Sequence, residues 1–92
     1  MTNVSVQIPS SLRHECAGRA SLSVSASTVR EALERVEQDQ PALYRCVCDE
    51  TGAVRRHMNL FVNSTLLACP DELDTALGPG DVLSIMTAVS GG

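Results

Sequence analysis

The chain has 92 residues, a formal charge of −4 and 43% hydrophobic residues, enough for one core of modest size and too few for two domains. Tyr44 and Phe61 are its only aromatics and Trp is absent, so the core has to be aliphatic and the stacking platforms that single-stranded nucleic acids use are missing. The acidic balance argues against phosphate backbones and anionic membranes, no run approaches the roughly 18 apolar residues of a membrane span, and the first ten residues lack the basic-then-apolar order of a signal peptide, so a cytoplasmic protein with no nucleic-acid or membrane partner is expected.

Val4, Val6 and Ile8 alternate with Ser5 and Gln7, the pattern of a half-buried strand, and Pro9 closes it. Ser10 to Gly18 reads as a turn. Leu22, Val24 and Ala26 alternate with serines, which makes a second strand and pairs it with the first as a hairpin. Ser27 and Thr28 then offer an N-cap, and Glu31, three residues after Thr28, completes a capping box. From Val29 to Gln38, Val29, Ala32, Leu33 and Val36 fall on one helical stripe, and Arg30, Glu31, Glu34, Arg35 and Glu37 fall on the other side. Pro41 ends that helix. Leu43, Arg45 and Val47 are spaced as a short extended stretch, followed by a turn at Asp49-Glu50-Thr51-Gly52.

Met58 to Asn63 reads as a third strand, Asn63-Ser64 as a turn, and Leu66-Leu67-Ala68 as a short fourth strand. Pro70 to Leu77 reads as a turn or short helix, and Gly78-Pro79-Gly80-Asp81 as a tight turn. Val82 to Met86 is the last strand, with Leu83 and Ile85 inward and Val82, Ser84 and Met86 outward. A helix that follows an N-terminal hairpin has to cross one face of the sheet. The expected fold is therefore α+β, a β-grasp of the ubiquitin-like kind: a mixed sheet of four to five strands with one main helix crossing it. The β-grasp domain is expected over 1–86, with a flexible tail over 87–92 ending in Gly-Gly.

The four cysteines, Cys16, Cys46, Cys48 and Cys69, are expected to be reduced in a cytoplasmic chain. Cys46-Val47-Cys48 has strand spacing, which would put both thiols on one face. Together with Cys16, Cys69, His14 and His57 they could be imagined around zinc, but the spacing fits no usual zinc signature, and ordinary buried or surface thiols are the simpler reading. All seven basic residues are arginine, so no side chain can accept an isopeptide bond.

The chemistry-bearing feature is the end, Ala88-Val89-Ser90-Gly91-Gly92. Gly91 and Gly92 carry no β-carbon, so such a tail is thin enough to thread a narrow tunnel. An enzyme that joins a nucleotide to a C-terminal carboxylate needs that shape. Terminal glycines alone are a weak signal, because an unstructured end reads alike. Here they follow a β-grasp pattern, a Gly-Asp turn and an apolar strand at the right distance.

These pieces together resemble the ThiS/MoaD sulfur carriers, and among them the actinobacterial carriers that serve cysteine biosynthesis. The likeness rests on Val4-Ser5-Val6-Gln7-Ile8-Pro9, Ser10-Ser11-Leu12-Arg13, Ser23-Val24-Ser25-Ala26, Phe61-Val62-Asn63, and Gly80-Asp81-Val82-Leu83-Ser84-Ile85 with the tail. Thr87 departs from the pattern, since relatives commonly carry Pro there. The resemblance implies a carrier that is not itself an enzyme, needs no cofactor and has no catalytic residue. It implies that Gly92 is adenylated and then converted to a thiocarboxylate, while Gly91, Ser90, Val89 and Ala88 thread the active site of an E1-like adenylyltransferase and sulfurtransferase. It places a partner-binding surface at Leu66 and Met86, with Pro9 nearby. Implied downstream partners are a sulfur-accepting enzyme such as a pyridoxal-phosphate sulfhydrylase, and a metalloprotease that trims the tail. Two other readings use the same tail: a ubiquitin-like modifier conjugated to target lysines, and the small subunit of a molybdopterin-synthase-like complex.

Overall fold

A computed structural model describes residues 2–68 and 72–87 of the chain. The elements are β1 (Asn3–Gln7), a 3-10 helix (Ser10–Cys16), β2 (Ser21–Ser25), α1 (Val29–Asp39), α2 (Pro41–Val47), β3 (Met58–Val62), β4 (Thr65–Leu66) and β5 (Val82–Thr87). The five strands form one mixed sheet in the order β2-β1-β5-β3-β4. β1 is antiparallel to β2 and parallel to β5, and β3 is antiparallel to both β5 and β4. This is the expected β-grasp, with the first and last strands side by side at its centre.

The crossing helix α1 starts where the capping box put it. Thr28 Oγ1 accepts the Glu31 N–H at 3.2 Å, and the Glu31 carboxylate accepts the Ser27 N–H at 3.0 Å. The return bond lands one residue before the N-cap, but the exchange is reciprocal and such caps contribute about 1 kcal/mol. Two more free N–H groups of the first turn, on Val29 and Arg30, donate to the carbonyls of Thr75 and Leu73. The turn that precedes β5 therefore holds the start of the helix, and an exposed Arg30–Asp74 ion pair at 2.9 Å lies across the same junction.

Val29, Ala32, Leu33 and Val36 are buried against Val4, Val6, Leu60, Leu83 and Ile85, as their periodicity predicts, while Val62 is half-buried at the margin. Ile8, Leu22, Val24, Leu43, Val47, Leu67, Leu73 and Leu77 are buried in the same core. Among the described residues no polar or charged side chain is buried.

Four expectations are corrected. Pro41–Val47 is a second helix, not an extended stretch: Pro41 sits in its first turn, where a missing N–H costs nothing, and Leu43 and Val47 are buried one helical turn apart. Cys46 and Cys48 consequently do not share a face; Cys46 lies half-buried on α2, and Cys48 is buried just after it. Ser10–Cys16 is a 3-10 helix, where a turn was expected, and it ends at Ala17 in the left-handed region with φ 58°. β5 runs one residue further than expected, to Thr87.

Candidate functional site: the outer sheet face and the foot of the tail

α1 covers one face of the sheet, and the pleat sends alternate side chains to the other. On β5 this leaves Leu83 and Ile85 buried and Met86 exposed. Asn59 on β3 faces Met86, and Phe61 lies between Ser84 of β5 and Leu66 of β4. Leu66 (54% exposed) and Met86 (48%) are the exposed large hydrophobic side chains among the described residues. Phe61, half-buried, sits on β3 between the two strands that carry them. Sequence reasoning found Leu66 and Met86 but not Phe61, although the inward Leu60 beside it fixes its direction. Pro9, half-buried, lies two residues past the end of β1, at the N-cap of the 3-10 helix.

The other half of this face is hydroxylic. Ser21, Ser23 and Ser25 on β2 pair with Gln7, Ser5 and Asn3 on β1. The face is thus polar on the β2–β1 side and mixed on the β5–β3–β4 side, where Asn59 and Ser84 stand beside Met86, Phe61 and Leu66.

The start of β5 is locked by residues that read in the sequence as two separate turns and as part of the likeness. Asn63 adopts φ 57°, a left-handed conformation that Asn tolerates at a turn. Its Oδ1 accepts the Val82 N–H at 3.1 Å, and its own N–H donates to the Val82 carbonyl at 2.7 Å. Its Nδ2 donates to Asp81 at 3.4 Å, while the other Asp81 oxygen accepts the Gly78 N–H at 2.8 Å. Gly80, at φ 82°, supplies the turn that L-residues resist. Phe61-Val62-Asn63 and Gly80-Asp81-Val82 are therefore two halves of one structural lock that sets the register of the strand leading to the tail. That strand ends at Thr87, which pairs with Met58. Ala88, Val89, Ser90, Gly91 and Gly92 lie outside the described residues.

Among the described residues the cysteine geometry assembles no thiol site. Cys16 is buried, and its Sγ donates to the carbonyls of Arg13 and Arg19. Cys46 donates to Glu15 Oε2 at 3.4 Å, and burial followed by that carboxylate pushes its thiol pKa up, away from the thiolate. Cys69 lies outside the described residues. Among the described residues no three His, Cys, Asp or Glu side chains converge as a metal ion would need, and no helix is long and apolar enough to cross a membrane. A groove of about 720 Å³ lies beside α2 and is lined by Glu37, Tyr44, Arg45, Asp49, Glu50 and Arg55 among others. Burial, with negative charge nearby, pushes the Tyr44 hydroxyl up to about 12.

A five-stranded β-grasp with one helix across it and the first and last strands paired in parallel defines the ubiquitin-like class. Within that class, residues 6–92 match the ThiS family, and the chain belongs to it. It is 32% identical over 92 residues to the sulfur carrier protein CysO of Mycobacterium tuberculosis, covering 98% of this chain and 99% of that one. The CysO chain in the Amycolatopsis orientalis BexX/CysO complex superposes with a TM-score of 0.84 at 30% identity, covering 97% and 99% of the two chains. Small archaeal modifier protein 1 (SAMP1) from Haloferax volcanii superposes with a TM-score of 0.81 at 28% identity, covering 98% and 99%.

Proposed function

We propose that this chain is a sulfur carrier whose working group is the carboxylate of Gly92. The observation that carries this reading is the match to the ThiS family through Gly92, over a domain whose last strand is held by β1 on one side and β3 on the other. A carboxylate is a poor electrophile because its leaving group would be oxide. An E1-like enzyme removes that obstacle with ATP: a Gly92 oxygen attacks the α-phosphorus, pyrophosphate leaves, and the acyl carbon acquires AMP as a leaving group. A sulfur donor then displaces AMP and leaves a thiocarboxylate, which is ionised at neutral pH and attacks without a strong general base. Carried on a protein, the sulfur reaches its acceptor at high effective concentration. Sulfur carriers are in general not catalytic, and here the chain is the substrate of its activating enzyme.

Gly91, Ser90, Val89 and Ala88 thread the active site in this reading, and Leu66, Phe61 and Met86, with Pro9 beside them, dock the domain. The near full-length likeness to CysO supports a biosynthetic acceptor, either in cysteine formation or in a specialised sulfur metabolite. A pyridoxal-phosphate sulfhydrylase would use the sulfur, and a metalloprotease would trim the tail. The likeness to a small archaeal modifier protein favours a second reading, in which Gly92 is joined to lysines of target proteins. Following the sulfur decides between them. Transfer of label from the Gly92 thiocarboxylate to a small metabolite supports the carrier, and a Gly92–lysine isopeptide in a target supports the modifier.

A further inference from the structure

Arg56 and His57 form the turn that leads into β3, and the next residue, Met58, pairs with Thr87 at the foot of the tail. The turn is pinned on both sides. The Arg55 N–H donates to the Val47 carbonyl and the Arg55 Nε to the Arg45 carbonyl, each at 2.9 Å, and the Met58 N–H donates to the Arg55 carbonyl at 3.0 Å. Both side chains are exposed. Arg45 and Arg55 share their groove with Glu37, Asp49 and Glu50, which answer their charge within the chain. Arg56 lies outside that groove. The hollow it does line, with Val54, Arg55, Met58, Asn59, Leu60 and Leu67, has no carboxylate among its described lining residues. Among the described residues the ion pairs are Arg30–Asp74 and His14–Glu15, so Arg56 has no carboxylate partner there.

Arg56 is an exposed cation two residues before Met58, which pairs with Thr87 at the end of β5, on a chain of net charge −4. We infer that Arg56, with His57 beside it, is an electrostatic docking point for the activating enzyme, where it meets carboxylates on the rim of the opening that takes the tail. The identity of that partner rests on the function proposed above. Carboxylates fit better than nucleotide phosphates because five residues follow Thr87, and a threaded chain of that length spans roughly 17 Å. The reacting phosphate therefore lies beyond a side chain rooted at the foot of the tail. Rim charges act on encounter rate and salt dependence more than on the chemical step.

The test measures binding of the full chain to the E1-like enzyme of the same organism without ATP, at low and moderate salt, beside a separate assay of sulfur loading at Gly92. Arg56→Glu should weaken binding about tenfold at low salt, Arg56→Gln should weaken it less, and both should flatten the salt dependence. Arg19→Glu makes the same change in net charge at another exposed site and should bind as wild type does. Equal affinity and salt slope for Arg56→Glu and wild type would overturn the docking point, and so would equal weakening by Arg19→Glu. Because binding is read without chemistry, weakened binding by Arg56→Glu in a chain that never acquires sulfur would keep the docking point and overturn the role of Gly92.

Discussion

Leu66 lies opposite Phe61 across the β3–β4 ladder, and Phe61 in turn lies opposite Ser84 on the strand that carries Met86. The exposed Leu66 and Met86 therefore lie on the same outward face, on the strands either side of β3. Leu66→Asp and Met86→Asp should each weaken binding to the activating enzyme, because a charge forced into an apolar contact loses its hydration without a partner. Both sites are open to water in the free chain, so thermal unfolding should stay close to wild type. Unchanged activation kinetics in both variants would remove this patch from the interface.

Leu33, 4% exposed, sits at the middle of the buried stripe of α1. Leu33→Ala should cost roughly 2–5 kcal/mol of unfolding free energy, the range for truncating a core leucine. Urea denaturation measures this directly, and a loss well under 1 kcal/mol would mean that the helix does not pack as described.

Tyr44 is the only tyrosine in the chain, so its ionisation can be followed by absorbance without overlap. With its pKa raised to about 12 by burial and nearby negative charge, the folded protein keeps the proton where the unfolded chain, near 10, has lost it. The stabilisation is fully present below about pH 10 and is lost as pH rises through the window toward 12, because there the unfolded state binds fewer protons than the folded one. A folded-state tyrosine titrating at its ordinary value would contradict the packing beside α2.

Buried Cys16 and Cys48 and the half-buried Cys46 should react slowly with alkylating reagents in the native state, Cys46 because burial and Glu15 hold it as a thiol. Replacing all four cysteines by Ala or Ser should lower stability and leave sulfur transfer intact. Complete loss of transfer in a variant that still folds would show that a cysteine takes part.

The strand alternation, the Thr28–Glu31 capping box and the inward Leu83 and Ile85 were legible because each pattern fits one period only. The segment at 41–47 was not, because Leu43 and Val47 are four residues apart, a spacing that equals two strand repeats and also one helical turn. Arg45 held the deciding information: a strand would have aimed it with Leu43 and Val47 into the core, whereas the helix leaves it exposed. The lock between Asn63, Asp81 and Val82 joins residues 18 and 19 positions apart, and no local pattern announces such a pairing. Met86 followed from alternation and likeness and Leu66 from likeness, while the tail residues were singled out by their chemistry and lie outside the described residues.

The most direct measurement is intact-protein mass spectrometry after incubation with ATP, the E1-like enzyme and a sulfur donor, with the Gly92 deletion beside wild type. Deleting Gly92 leaves the carboxylate one residue, roughly 3.3–3.6 Å, short of the nucleotide, whereas misplacement by about 1 Å already costs large factors in rate. Wild type should gain the mass of one oxygen-to-sulfur exchange, located on the C-terminal peptide, and the deletion should gain none while folding normally. Sulfur acquired by the deletion as readily as by wild type, or sulfur mapped to a cysteine, would contradict the assignment of Gly92 as the carrier group.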